Sequence, residues 1–381
     1  MGARGLRVLE NIIDKYRKKN PNSSVQLGVS SSEIEWQSGP NSPYFIASTT
    51  KLYTTAIVFR LVDLKKIGFQ TRIVDVLEPK LLDGLHCLRG RNHVCEINVY
   101  HLLTHTSGLP DYFEQRPPGE RSLADQILAN HDRSWSFEET LDITKRMKPH
   151  FPPGACRKAF YSDTNFQLLG RIIEKVSGKS FSENLDEHIL SKIEAKETFL
   201  FDQTCRHRFS EIDPIFQGNT SLTVPLAMAS FDCDGGIVST VDETLSFMRG
   251  FQNGVFFDAA PLPDWRRIFF PLQYGVGMMR FKLPRFLDPF NTNPELFGHS
   301  GASGAFLFYC PTHDLYLAGT VNRTDQRSMP YRLMPEVIAA LRRLSSMFCL
   351  SEPEPVQVSL PNHRLLQSIA VENWSRVCHH S

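Results

Sequence analysis

No stretch of this chain approaches the roughly 18 consecutive apolar residues that a membrane-spanning helix needs, so no such span is expected. Met1 to Asn20 also lacks an apolar run of signal-peptide length. Instead Leu6, Leu9, Ile13 and Tyr16 recur at helical spacing between basic residues, which predicts an amphipathic helix packed on a sheet. Neither sign of charge is in surplus. With 42 basic and 41 acidic side chains the formal net charge is +1, which favours neither nucleic acid nor an anionic membrane as partner. Cysteine is sparse and unpatterned: positions 87, 95, 156, 205, 233, 310, 349 and 378 form no disulfide framework. Reduced thiols and a cytoplasmic location are therefore expected.

Several chemical signatures are missing as well. There is no H-E-x-x-H, P-loop, paired G-x-G-x-x-G or C-x-x-C, which removes the common zinc-protease, nucleotide and dithiol chemistries. His86-Cys87 and His93-x-Cys95 lack the spacing of a tetrahedral site and are read as structural or surface residues. Gly298-His299-Ser300-Gly301 begins like a G-x-S-x-G nucleophile elbow, but Ala302 stands in fifth place and the pattern fails. Neither a metal ion nor a cofactor is expected.

What the chain does contain is Ser48-Thr49-Thr50-Lys51, the one place where a serine stands three residues before a lysine. A free seryl hydroxyl is a poor nucleophile at neutral pH and needs a neighbour to take up its proton. On the first turn of a helix, Ser48 and Lys51 project from one face, within hydrogen-bond reach. The following run, Leu52 to Val62, is apolar on nearly all sides, as in a buried helix, and Lys65, Lys66 and Gly68 supply a stop. Burial would keep the Lys51 amine neutral, and Tyr161 could share its proton. The plainer alternative makes Ser48 or Thr49 a helix cap and Lys51 a solvated side chain.

Ile46 to Lys51, His101 to Pro110, Pro153-Gly154 with Phe160 to Gly170, Asp234 to Thr240 and Gly298 to Gly301 together resemble the serine β-lactamase and penicillin-binding-protein superfamily. The likeness is nearest its class C-like branch of esterases, D-amino-acid peptidases and acyltransferases, and runs from about Val25 to Leu344. It implies a nucleophile at Ser48, a lysine partner at Lys51, a tyrosine base at Tyr161, a substrate-lining strand at His299 to Ala302 including Ser300 and Gly301, and an oxyanion hole from the Ser48 and Ala302 amides. Two positions depart from the best-known members. His299 replaces the lysine of K-T-G that attracts a substrate carboxylate, and is expected at the rim of the site. Asp163 replaces an asparagine. An ionised aspartate only accepts hydrogen bonds, so it would hold Lys51 or receive a substrate amine, while raising the pKa of the lysine.

The order of elements suggests an α/β (α+β) chain: an antiparallel sheet flanked by helices plus a mostly helical subdomain, with the site between them. Residues 1–75 and 206–349 are assigned to the sheet-bearing core and 76–205 to the helical part. Ser351 to Pro355 read as a linker opening a tail at 350–381. Gly304 to Cys310, a turn at Pro311 to Asp314 and Leu315 to Val321 predict a buried hairpin. The expected activity is that of a serine hydrolase acting through an acyl-enzyme on a small-molecule ester, lactone, amide or D-amino-acid-containing substrate. Acyl transfer by the same chemistry and a non-catalytic binding or self-assembling scaffold are the alternatives.

Overall fold

The computed structural model describes residues 3–258, 264–283, 286 and 293–348; the linker and tail at 350–381 lie outside them. Eight strands form the main sheet: β1 (Gln26–Ser30), β2 (Glu35–Ser38), β3 (Arg266–Phe269), β4 (Leu272–Tyr274), β5 (Met279–Phe281), β6 (Leu296–Ser300), β7 (Phe306–Cys310) and β8 (Leu315–Thr320). Their order is β3-β4-β5-β6-β7-β8-β1-β2, and every neighbouring pair is antiparallel. The chain thus lays down β1 and β2 at one edge of the sheet, leaves, and returns to complete it.

The central strands are apolar without interruption because both faces are covered. Phe306, Phe308 and Cys310 of β7 face one core with Leu9 and Ile13 of helix α1 (Ala3–Lys19), while Leu307 and Tyr309 join the other. On that second face helix α2 (Thr50–Asp63) runs through the middle of the molecule, buried at nearly every position. Helix α3 (Asp163–Ser177) packs against it and ends at Gly178, whose φ of 72° is the left-handed cap that glycine adopts cheaply. Helix α4 (Val241–Gln252) lies against β1, β7 and β8. It comes so close that a Cβ on Gly28 would stand 2.3 Å from Val241.

Apart from α3, residues 76 to 205 contribute short helices and long connections, and their strands are two-residue pieces. One of these, Phe199–Leu200, joins Tyr44–Phe45 and Ile237–Ser239 in a small three-stranded sheet. The expected return to strands after residue 206 holds for β3 to β8 but not for α4. The closing helix α5 (Pro330–Phe348) runs through Pro335. Its buried face, Leu333, Met334, Val337 and Ile338, outweighs the single hydrogen bond that Pro335 removes. No helix among the described residues is long and apolar enough to cross a membrane.

Candidate active site

Ser48 stands where the small sheet hands over to the central helix. The Ile46 amide donates to the Ile237 carbonyl at 3.1 Å, and Ala47 turns the chain with a φ of 47°. A non-glycine residue held there costs on the order of 1 kcal/mol, which the surrounding sheet and helix must supply. A single 3-10 turn, Ala47–Thr49, then leads into α2. Gly301 packs against this turn: a Cβ on it would lie 2.7 Å from the Ile46 carbonyl oxygen and 2.8 Å from the Ala47 Cβ.

Lys51 is wholly buried beneath Ser48. Its Nζ donates to Ser48 Oγ at 3.2 Å and to the Asp234 carbonyl at 2.5 Å, and lies 2.8 Å from Asp163 Oδ1. Burial alone would lower the pKa of this amine, but Asp163 and then Asp234 outweigh it, and the net direction is upward. Of the two influences expected from the sequence, burial lowering the amine and Asp163 raising it, the second prevails. Lys51 is the cation of a buried ion pair because α3 delivers a carboxylate at its first residue.

Two further carboxyls surround that pair. Burial, reinforced by the Asp163 charge, pushes Asp111 and Asp234 well above the ordinary carboxylate range. The Asp234 carboxyl accepts from the Tyr112 hydroxyl at 2.8 Å and the Gln167 amide at 3.0 Å. Asp163, at 2.8 Å, is the carboxylate that pairs with the Lys51 amine.

Tyr161 precedes α3, with its ring centroid 5.4 Å from Lys51 Nζ and its buried hydroxyl lacking a well-directed protein partner. Burial and then the Asp163 carboxylate drive its pKa well up, against the opposing influence of the Ser48 hydroxyl. The phenol is protonated at neutral pH. His105 lies 4.4 Å from both Tyr161 and Tyr274, ring centre to ring centre. Its Nδ1 accepts from the Ser162 amide at 3.1 Å, which leaves the ring proton on Nε2. Burial, then Lys51, holds its pKa well below the usual histidine value.

His299 is placed differently from the expectation. It lies in β6 with no exposed surface, its Nδ1 2.8 Å from the Ser300 carbonyl. Burial, with Lys51 adding to it, lowers its pKa to about 3. The rim position is corrected: the alternation of β6 turns this side chain inward beside Tyr161 and Tyr274. The strand also ends at Ser300, so Gly301 and Ala302 belong to the turn that follows. Ser300 Oγ meets the Tyr331 hydroxyl at 2.5 Å.

Ser48, Tyr161, Asp163, Ser300, Gly301 and Ala302, from three separate stretches of sequence, line one cleft of about 750 Å³. Reading the chain alone missed Tyr274, Asp111 and Tyr112. His105 and Gln167 were quoted within motifs but given no part. Their only linear signal was proximity to motif residues, since what joins them is contact across the fold. Among the described residues no group of three His, Cys, Asp or Glu side chains is arranged to hold a metal ion.

Known proteins resemble this chain in sequence or in fold. Protein flp of Staphylococcus aureus is 23% identical over 219 residues, 57% of this chain and 40% of its own, so the chain spans less than half the length of that relative. Penicillin-binding protein 4 of Amycolatopsis lactamdurans is 22% identical over 344 residues, 84% of this chain and 83% of its own. Among solved structures, the D-amino acid amidase from Ochrobactrum anthropi SV3, complexed with L-phenylalanine amide, superposes with a TM-score of 0.73 at 19% identity, covering 90% of this chain and all of that one. EstCE1, a hydrolase with promiscuous acyltransferase activity, gives 0.68 at 16% identity, covering 89% of this chain and 98% of the other. The family model described as Beta-lactamase matches residues 10–340, from the first helix through the last, and the chain belongs to that family.

Proposed function

We propose that this protein is a serine hydrolase that works through an acyl-enzyme, with Ser48 as nucleophile. The observation that carries the reading is the contact of Lys51 Nζ with Ser48 Oγ at 3.2 Å, inside a buried charged pair and beside a phenol that lacks a partner of its own. In the reactive form, which has lost one proton from the Lys51 and Tyr161 pair, Ser48 Oγ attacks the carbonyl carbon of an ester or amide and that pair takes up the seryl proton. The carbonyl π pair moves onto oxygen, which the Ser48 and Ala302 amides receive. As a first-turn amide, the Ser48 N–H has no acceptor within its own helix. Collapse of the intermediate expels the alcohol or amine, which takes the proton back, and leaves Ser48 acylated. Water then repeats the sequence and releases the acid. An alcohol or amine in place of water would give acyl transfer.

Residues 1–75 with 206–349 and residues 76–205 are proposed as the two parts between which this site lies. The test of the mechanism is covalent labelling. A fluorophosphonate should add one equivalent to the protein by intact mass and none to Ser48→Ala. Labelling of the alanine variant would reject Ser48, and no labelling of the parent protein would reject the acyl-enzyme reading.

A further inference from the structure

Around the reacting centre, the cleft is walled by hydrocarbon. Phe113, Ile127, Phe209, Ile215, Met228 and Phe231 line one side, and Phe269, Phe270, Leu272, Met279 and Phe281 the other. The first wall continues an apolar cluster built from the 113–231 stretch, and the second follows the outer strands of the main sheet. At the mouth the apolar surface reaches solvent. Phe269 is 53% exposed, Phe270 57% and Phe286 74%, with the Phe270 and Phe286 rings stacked at 6.0 Å. A contiguous aromatic lip that opens into an apolar cleft marks a surface that receives apolar material.

Charge points the same way. The single cation lining the cleft among the described residues, Arg327, pairs with Glu114 at 2.7 Å. Asp213 accepts from Gln26 at 2.8 Å and Ser42 at 2.6 Å. Lys51 is matched by Asp163, and the buried ring of His299 faces the same center uncharged. A carboxylate on the substrate would therefore find no unmatched positive group and several acidic neighbours.

We propose that the cleft takes an uncharged ester or amide whose acyl group is a long apolar chain, and that it discriminates against anionic acyl groups. This rests on the acyl-enzyme reading above. Each methylene buried against these walls should raise kcat/KM by about fourfold until the cleft is filled.

The experiment is a series of 4-nitrophenyl esters from acetate to dodecanoate, together with 4-nitrophenyl monoesters of dicarboxylic acids of matching length. A steep rise with neutral chain length and at least a tenfold loss on adding the distal carboxylate are expected. In Met228→Trp, which fills one wall, the ratio of decanoate to acetate reactivity should fall at least tenfold. A flat series, or a preference for the anionic esters, overturns the proposal. Calorimetry on Ser48→Ala with decanamide and with decanoate reads recognition without chemistry. Tighter binding of the amide supports the proposal even if the parent protein resists fluorophosphonate and the acyl-enzyme reading fails. Equal binding of the two, or none, overturns it even if labelling succeeds.

Discussion

At the scale of single residues, Asp163 sets the resting charge of the site. Its carboxylate raises the pKa of both Lys51 and Tyr161, so removing the charge should lower both. If acylation needs a deprotonated group in that pair, its rate climbs with pH, and Asp163→Asn should move the climb to lower pH. Stopped-flow acylation across the pH range reads this directly; superimposable profiles would separate Asp163 from the proton path. Tyr161→Phe deletes a hydroxyl that no protein group is well placed to bond, so stability should change by less than about 1 kcal/mol. Acylation should nevertheless fall by about 10² to 10⁴-fold, the usual worth of a positioned acid or base. Normal acylation by the phenylalanine variant would remove Tyr161 from the mechanism.

At the scale of elements, the geometry depends on how β6 and the Ala47–Thr49 turn meet. Gly301→Ala would press a methyl group against the Ile46 carbonyl and Ala47, both within 3 Å of it. The expected result is a loss of acylation of about 10-fold or more, because small misplacements of reacting groups are costly, with a folded far-ultraviolet circular dichroism spectrum retained. An acylation rate equal to that of the parent would mean that the turn yields freely. Elements were legible where hydrophobic patterning was unambiguous. The run behind Lys51 became α2, and the expected hairpin became β7 and β8, paired from Phe306 with Gly319 to Cys310 with Leu315. Patterning was less informative for α4, where apolar helix and apolar strand read alike.

At the scale of the whole molecule, buried ionisable groups tie stability to pH. His299 has a folded pKa of about 3 against 6.5 when exposed, and His105 is lowered in the same sense. As pH falls below 6.5 the unfolded chain takes up protons that the fold refuses, so this contribution to stability is lost progressively down to about pH 3. Asp111 and Asp234, raised in the fold, act with the opposite sign: they favour the fold at low pH and lose that contribution as pH rises above the usual carboxylate range. Comparison with a variant isolates one group. Between pH 6.5 and 3 the parent should lose up to about 1.4 kcal/mol per pH unit more than His299→Gln, measured by urea unfolding. Parallel curves would show that His299 protonates freely in the fold.

Local order and spacing were sufficient for the fold class, for the buried central helix and for a serine three residues ahead of a lysine at its head, because helical geometry alone brings those two side chains together. The charge on that lysine, the inward turn of His299 and the apolar walls of the cleft were decided by tertiary structure. A pKa depends on which carboxylates arrive from distant segments and how much water they leave behind, and neither quantity is written in neighbouring residues.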